Sequence, residues 1–338
     1  MIKLKNLLTN TGPREHFSKK NNILKNSTLG KNFTYLSFGQ LNKDKIFYVI
    51  NRSPGSGLFS NITFVLNHLK ICNQFNFIPI IDMENFTTIY NEKSRINKSH
   101  NAWEYYFEKL NHYSLSEVYK SKNVIFSEPS IQPNMILDMT KGSFKKLFSK
   151  IKIRKSIINE ANIFFKKNFN KKDKILGVQL RGSTYKTAAG HAFPPTPEFM
   201  INYIKTLVRK HKYNKIFLMT EEQSYLNIIH KEFKDICYFY PGFRMSKYDS
   251  FDIYPRKNHR YKLGKETIIE TLILSKCNGI SFIKSNVISA AILLSLKKQK
   301  LHEIFFGYNS RNIYFARWLW YIKSCLPISF GGLKLIRK

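Results

Sequence analysis

Ile46-Phe47-Tyr48-Val49-Ile50, then Asn51-Arg52-Ser53-Pro54-Gly55-Ser56-Gly57, and later Phe77-Ile78-Pro79-Ile80-Ile81-Asp82, decide the fold class. The first is a short apolar run between polar residues, the pattern of a buried strand. The second is a loop by its Pro and Gly content. From Leu58 the spacing changes: Ile62, Val65, Leu66, Leu69 and Cys72 recur at three and four residues, which is one face of a helix. The third run returns to strand. Strand, glycine-rich loop, helix and strand make a βαβ unit, the element of a parallel sheet.

Working outward, residues 1–43 are polar, rich in Asn, Lys, Ser and Gly, and are expected to form an irregular arm without its own core. Downstream, Trp103, Tyr105, Tyr106 and Phe107 cluster, and Val124-Ile125-Phe126 reads as a short strand. Lys150 to Lys172 is predicted as a basic helix leading to a linker at Asp173. A second alternating series follows. Ile175 to Leu180 is strand-like, and a helix after Pro197 has Met200, Ile201, Ile204 and Leu207 on one face. Strand Lys215 to Thr220, helix Gln223 to Phe233, strand Cys237 to Tyr240, helix Ile268 to Leu274, strand Gly279 to Ile283 and helix Val287 to Leu296 complete it.

Two such series imply an α/β chain of two Rossmann-like domains, 44–165 and 172–305, with a cleft between them and an aromatic, basic segment at 306–338. In open parallel sheets a ligand lies outside the carboxyl ends of the strands. The candidates are therefore the polar residues found there.

Composition sets the outer limits. At 338 residues the chain is long enough for two domains. Hydrophobic residues at 43% and aromatics at 15% exclude a mainly disordered chain. The 56 Lys and Arg against 22 Asp and Glu give a formal charge of +34, which calls for an anionic partner: nucleic acid, a membrane face or a phosphorylated ligand. Cys72, Cys237, Cys277 and Cys325 are far apart and show no metal-ligand spacing. No run approaches the ~18–20 apolar residues of a membrane-spanning helix. Met1 to Asn10 has no apolar segment behind its basic start, so no cleaved signal peptide is expected and the setting is expected to be cytoplasmic.

Four strand ends carry chemistry-bearing residues. Gly57-Leu58-Phe59-Ser60-Asn61 lies between strand and helix, where glycine permits positive φ and close approach, and where free N–H groups suit an anion or a sugar hydroxyl. A tight turn with Ser60 or Asn61 capping the helix is the alternative. Gln179-Leu180-Arg181-Gly182-Ser183-Thr184 places a guanidinium fork beside small polar residues, suited to a diphosphate or to a plain salt bridge. In the following loop His191 is a candidate base or sugar contact. Thr220-Glu221-Glu222 ends a third strand, where the acids suit ribose or base donors, or simply the start of a helix. Lys284-Ser285-Asn286-Val287-Ile288-Ser289 runs from strand into helix, a phosphate site or an ordinary Ser cap.

Together these segments resemble the GDP-fucose-dependent fucosyltransferases of the α1,6, nodulation and protein O-fucosyltransferase group and their bacterial relatives. Gly57 to Asn61 is similar to their glycine–asparagine loop, and Gly177 to Thr184 to their His-x-Arg strand motif, continued by His191-Ala192-Phe193-Pro194-Pro195. Ile216 to Glu222 is similar to their aliphatic strand ending in Thr-Asp-Asp. Leu274 to Asn278 and Ser285 to Ser289 are similar to their last motif. Gln179 stands where His is usual, Thr184 where Asp is common, and Glu221-Glu222 where Asp-Asp is common. The resemblance covers roughly residues 45–300.

What the resemblance implies is an inverting, metal-independent transferase of the GT-B kind, with its two domains facing across a cleft and the nucleotide-sugar mainly on the second. Arg181 would stabilise the departing diphosphate. Gly57, Asn61, Thr220, Glu221, Lys284, Ser285, Asn286 and Ser289 would contact the donor. Glu222, Asp249 and His191 are candidates for the base that activates a glycan acceptor. A GDP-heptose or another nucleotide-sugar is an alternative donor. In the C-terminal segment, Arg317-Trp318-Leu319-Trp320-Tyr321-Ile322-Lys323 and Leu333 to Lys338 mix aromatics with cations, as segments at an anionic membrane face do, while packing onto the first domain is the alternative. A nucleic-acid-binding protein is the competing class on charge alone, but no recognition motif accompanies the charge.

Overall fold

Two short strands, β1 (Ile23–Asn26) and β2 (Lys31–Thr34), pair antiparallel. The computed structural model describes residues 23–26, 31–34, 36–52, 57–127, 142–182, 184–246 and 250–334. The segment expected to be an irregular arm thus carries these two strands. Leu36 is buried and exchanges both backbone hydrogen bonds with Val124, at 2.8 and 2.9 Å. An isolated bridge of this kind has too few residues to show a period in the sequence.

The chain divides into two units, Met1–Arg154 with Asn258–Gly264, and Lys155–Lys257 with Lys265–Lys338. In the first, β3 (Phe47–Ile50), α1 (Leu58–Phe75) and β4 (Ile78–Ile81) form the βαβ unit, α2 (Leu115–Val118) leads into β5 (Val124–Phe126), and α3 (Gly142–Phe148) follows. The strand order is β4-β3-β5, all parallel. Every residue of β3 and β5 is buried, as strands covered on both faces must be. α1 stops at Asn76, which takes the left-handed conformation (φ 53°) and returns its N–H to Cys72.

The second unit opens with α4 (Lys155–Asn168), shorter than the Lys150 to Lys172 read from the basic run. Its sheet is built by β6 (Ile175–Gln179), a four-residue helix α5 (Thr184–Thr187), α6 (Pro197–His211), β7 (Lys215–Met219), α7 (Gln223–Glu232) and β8 (Cys237–Tyr238). There follow α8 (His259–Leu274), β9 (Gly279–Phe282), α9 (Asn286–Leu294), β10 (Lys300–Glu303) and α10 (Ile313–Cys325). α6 shows why these elements begin where they do. Thr196 Oγ1 accepts from Phe199 N at 3.2 Å, proline occupies the first turn, and Arg209, Lys210 and His211 sit at the negative end of the dipole. Met200, Ile204 and Leu207 turn inward onto Leu176, Val178 and Leu218. Close layering also needs Gly177, where a Cβ would stand 2.7 Å from Leu274 Cδ2 and 3.2 Å from Cys277 Sγ.

The strand order is β10-β9-β6-β7-β8, parallel throughout. The chain moves outward from β6 through β7 to β8, then returns to lay β9 and β10 on the other side of β6. That reversal places a topological switch point between β6 and β9, and open α/β sheets leave a crevice there, outside the carboxyl ends of the strands.

Candidate functional site

Gln179 ends β6 at the switch point and is almost wholly buried. Ser285, just past β9, caps α9. Its Oγ accepts from Ile288 N at 3.4 Å and donates to Gln179 Oε1 at 3.1 Å. The start of α9 is thereby tied to the end of the neighbouring strand. Gln179 Nε2 is buried and has no hydrogen-bond partner among the described residues. A buried amide donor without an acceptor is costly on its own, and it lies here next to the electropositive start of a helix. Asn286 is half-buried and Lys284 exposed. Ser289 is buried, and its hydroxyl donates to Ser285 O at 3.1 Å, so among the expected phosphate contacts this one serves the helix itself.

Arg181 follows two residues after Gln179. Its Nε lies 3.6 Å from Glu221 Oε1, and its guanidinium stacks on the Tyr185 ring at 4.0 Å. The same Glu221 oxygen accepts from Gly182 N at 3.1 Å. Glu221 therefore orients the arginine loop from the end of the adjacent strand β7. Thr220 is buried, and its Oγ1 accepts from Glu222 N at 3.3 Å. The candidates on β6, β7 and β9 are brought to one edge of one sheet.

Glu222 proves to be committed to a partner that the sequence did not suggest. Lys186 Nζ donates to both its carboxylate oxygens, at 3.1 and 3.0 Å, and Ser224 Oγ donates at 2.6 Å. Gly182 is what lets this carboxylate approach, since a Cβ there would stand 2.2 Å from Glu222 Oε2. Lys186 also lies over the rings of Tyr225 and Trp320, at 4.5 and 5.1 Å. Lys186, Tyr185 and Tyr225 were missed, and Trp320 was read only as part of the C-terminal aromatic, basic segment. Only the α5 turn puts Tyr185 and Lys186 beside the strand ends, and four residues carry too little periodicity to show in the sequence.

His191 is exposed, and its ring meets Tyr185 at 4.9 Å. Its pKa is held below the ordinary histidine value, by desolvation first and then by the Arg181 charge, so the imidazole is neutral at pH 7. The loop carrying it is fastened by the C-terminal segment. Asn309 N donates to His191 O at 2.7 Å, Gly190 N to Ser310 O at 2.9 Å and Phe193 N to Gly307 O at 3.1 Å. Trp320 Nε1 donates to Pro194 O at 2.8 Å, and Asn309 Nδ2 to Lys186 O at 3.3 Å.

Gly57 and Asn61 belong to the first unit. Gly57 stands just before α1 in extended conformation (φ −61°), and a Cβ there would meet nothing within 4 Å. Neither positive φ nor close packing explains it, contrary to the reading above. α1 begins at Leu58, so Ser60 and Asn61 lie within its first turn and neither side chain caps it. Leu58 N donates instead to Tyr90 Oη at 2.9 Å, and Arg52 Nη2 to Ser60 Oγ at 3.2 Å. Asn61 is buried.

Gly55, Ser56, Ser183, Asp249 and Leu335 to Lys338 lie outside the described residues. Among those described, no group of three or more His, Cys, Asp or Glu side chains is placed to hold a metal ion, and no helix is long and apolar enough to cross a membrane.

No family model matches the chain, and neither does any of the curated proteins. Solved structures do. The chain is similar to NodZ α1,6-fucosyltransferase soaked with GDP-fucose, at 17% identity over 74% of this chain and 93% of that one, with a TM-score of 0.48. It is similar to the fucosyltransferase NodZ from Bradyrhizobium, at 16% identity over 74% and 94%, with a TM-score of 0.47. It is also similar to POFUT1 in complex with GDP-fucose, at 10% identity over 76% and 73%, with a TM-score of 0.36.

Proposed function

We propose that the protein is an inverting glycosyltransferase that moves fucose from GDP-fucose to a hydroxyl of a glycan acceptor. On this reading it serves bacterial polysaccharide biosynthesis, on a surface polysaccharide or a lipid-linked oligosaccharide. It works from the cytoplasmic side, attached peripherally to the membrane. The observation that carries the donor site is the Ser285–Gln179 hydrogen bond across the switch point, with Arg181 two residues beyond it.

The donor diphosphate lies at the start of α9 and takes hydrogen bonds from its free N–H groups and from Gln179 Nε2. The acceptor oxygen attacks the anomeric carbon. As that bond forms, the bond from the anomeric carbon to the phosphate oxygen breaks and its electron pair leaves with GDP. Arg181, oriented by Glu221 and Tyr185, neutralises the charge growing on the leaving group. His191, neutral and beside Arg181, takes the acceptor proton. Glu222, engaged by Lys186 and Ser224, shapes the loop rather than acting as the base.

The test is a thermal-shift panel of GDP, UDP, ADP and their sugar conjugates, with a random oligonucleotide at moderate salt. GDP and GDP-fucose are expected to stabilise saturably. A ligand at one hundred times its Kd adds about 2.7 kcal/mol. Stabilisation by another nucleotide and none by GDP would overturn the donor assignment, and stabilisation by the oligonucleotide alone would favour nucleic-acid binding.

A further inference from the structure

α10 is apolar on nearly every side, a pattern that belongs inside a core or against lipid. One face meets the first condition: Ala316 is fully buried, and Trp320 packs with Phe193 and Leu333. The opposite face does not. Tyr314, Phe315, Trp318, Tyr321 and Ile322, spaced to share one side of the helix, all lie in solvent, with Tyr314 71%, Phe315 70% and Trp318 68% exposed. Phe330, in the turn that follows, is exposed as well. A soluble surface seldom shows an apolar patch beyond roughly 300–600 Å², and five large side chains standing together in this way reach that scale.

The charge around the patch selects its occupant. From Ile304 to Lys338 the sequence contains Arg311, Arg317, Lys323, Lys334, Arg337 and Lys338 and no Asp or Glu. Arg311, Arg317 and Lys334 are exposed. A second copy docking here by two-fold symmetry would set cations against cations. An anionic bilayer meets both features at once, with rings at headgroup level and cations toward lipid phosphate.

We propose that the outer face of α10, together with Phe330, docks the protein onto an anionic lipid bilayer. The inner face of the same helix holds Pro194 through Trp320, and Asn309 joins Lys186 O to Ala316 O, at 3.3 and 3.0 Å. The loop carrying Lys186 and His191 therefore stays fixed to the docking helix. The acceptor is then amphiphilic, a lipid-linked glycan presented at the bilayer surface. This last step rests on the transferase reading, whereas the docking does not.

Trp318 is the reporter, because the other two tryptophans, Trp103 and Trp320, are only 3% and 7% exposed. Full-length protein is mixed with vesicles of phosphatidylcholine containing phosphatidylglycerol and with vesicles of phosphatidylcholine alone. Binding to the anionic vesicles is expected, with a blue-shifted emission and loss of acrylamide quenching, and the shift is absent in Trp318→Phe. A triple variant, Phe315→Ser, Trp318→Ser and Ile322→Ser, should bind at least ten-fold more weakly while keeping its thermal shift with GDP. Three results would overturn docking: adsorption with unchanged Trp318 emission, equal binding by the triple variant, or a solution dimer that the triple variant dissolves while vesicles stay unbound. Vesicle binding needs no nucleotide, so a failed GDP panel leaves this result readable.

Discussion

Ser285 and Gln179 share one hydrogen bond, and that bond leaves the Gln179 amide with its acceptor used and its donor free among the described residues. On the proposed reading a diphosphate oxygen would accept from that donor. Gln179→Leu, similar in size and without the donor, is expected to weaken GDP binding by roughly ten-fold, the scale of one hydrogen bond to a charged group. The melting temperature should change little, since the substitution also removes a buried amide that lacks a full set of partners. Calorimetric titration checks this, and unchanged affinity would remove Gln179 from the donor site.

Arg181→Ala should lower kcat by roughly 10²–10³-fold while the protein stays folded. The contacts it loses, a 3.6 Å approach to Glu221 and stacking on Tyr185, are both partly exposed, so stability changes little. Arg181→Lys should not restore the rate, because an ammonium cannot reproduce the planar fork. Full activity in Arg181→Ala excludes this arginine from the mechanism, and full activity in Arg181→Lys excludes a need for its fork geometry.

The Lys186–Glu222 pair is largely shielded, with side chains 13% and 15% exposed. Lys186→Met leaves a carboxylate without its main partner and should cost about 1–3 kcal/mol, whereas adding Glu222→Gln should recover part of the loss. Denaturant melts of the two single variants and the double variant give the coupling directly.

The assignment of the base to His191 rather than Glu222 is tested by pH. The pKa of His191 is lowered, so the acid limb of kcat/KM should fall below pH 6.5, with activity rising as pH climbs through the folded value. His191→Asn should flatten that limb and Glu222→Gln should leave it in place. The reverse pattern assigns the proton to Glu222.

Glu270 provides a stability test remote from catalysis. Burial pushes its carboxyl up to about 7, against the opposing pull of Arg244, whose Nη2 lies 2.5 Å away. A raised acid favours the protonated form in the folded state. Its contribution is therefore complete below the ordinary value of 4.5 and disappears as pH rises through about 7. Glu270→Gln should show a smaller fall in melting temperature between pH 5 and pH 8 than the unaltered protein.

The sheets were legible because parallel strands buried on both faces read as largely apolar runs: Phe47–Ile50 is unbroken, and Ile175–Gln179 and Gly279–Phe282 carry one polar residue each, Gln179 and Ser281. β10 was not, since Lys300–Glu303 is an edge strand in which only His302 is buried. The start of α8 was hidden for a different reason: its first turns, from His259 to Glu266, are mostly polar. At the site, the strand-end position of Arg181, Glu221 and Ser285 followed from topology. The Lys186–Glu222 contact did not, because it joins residues 36 apart through strand pairing that no local pattern encodes.

Trp320 and Asn309 turn the greasy C-terminal segment into a buttress for the loop that carries Lys186 and His191. Trimming the chain before Ile313 to improve solubility would remove the Trp320 bond to Pro194 and the hold of Ala316 on Asn309 along with the stickiness. A well-behaved shortened protein could therefore be catalytically dead with every motif residue still in place. Surface-only changes, at Phe315 or Ile322, are the route to a tractable protein that keeps its loop braced.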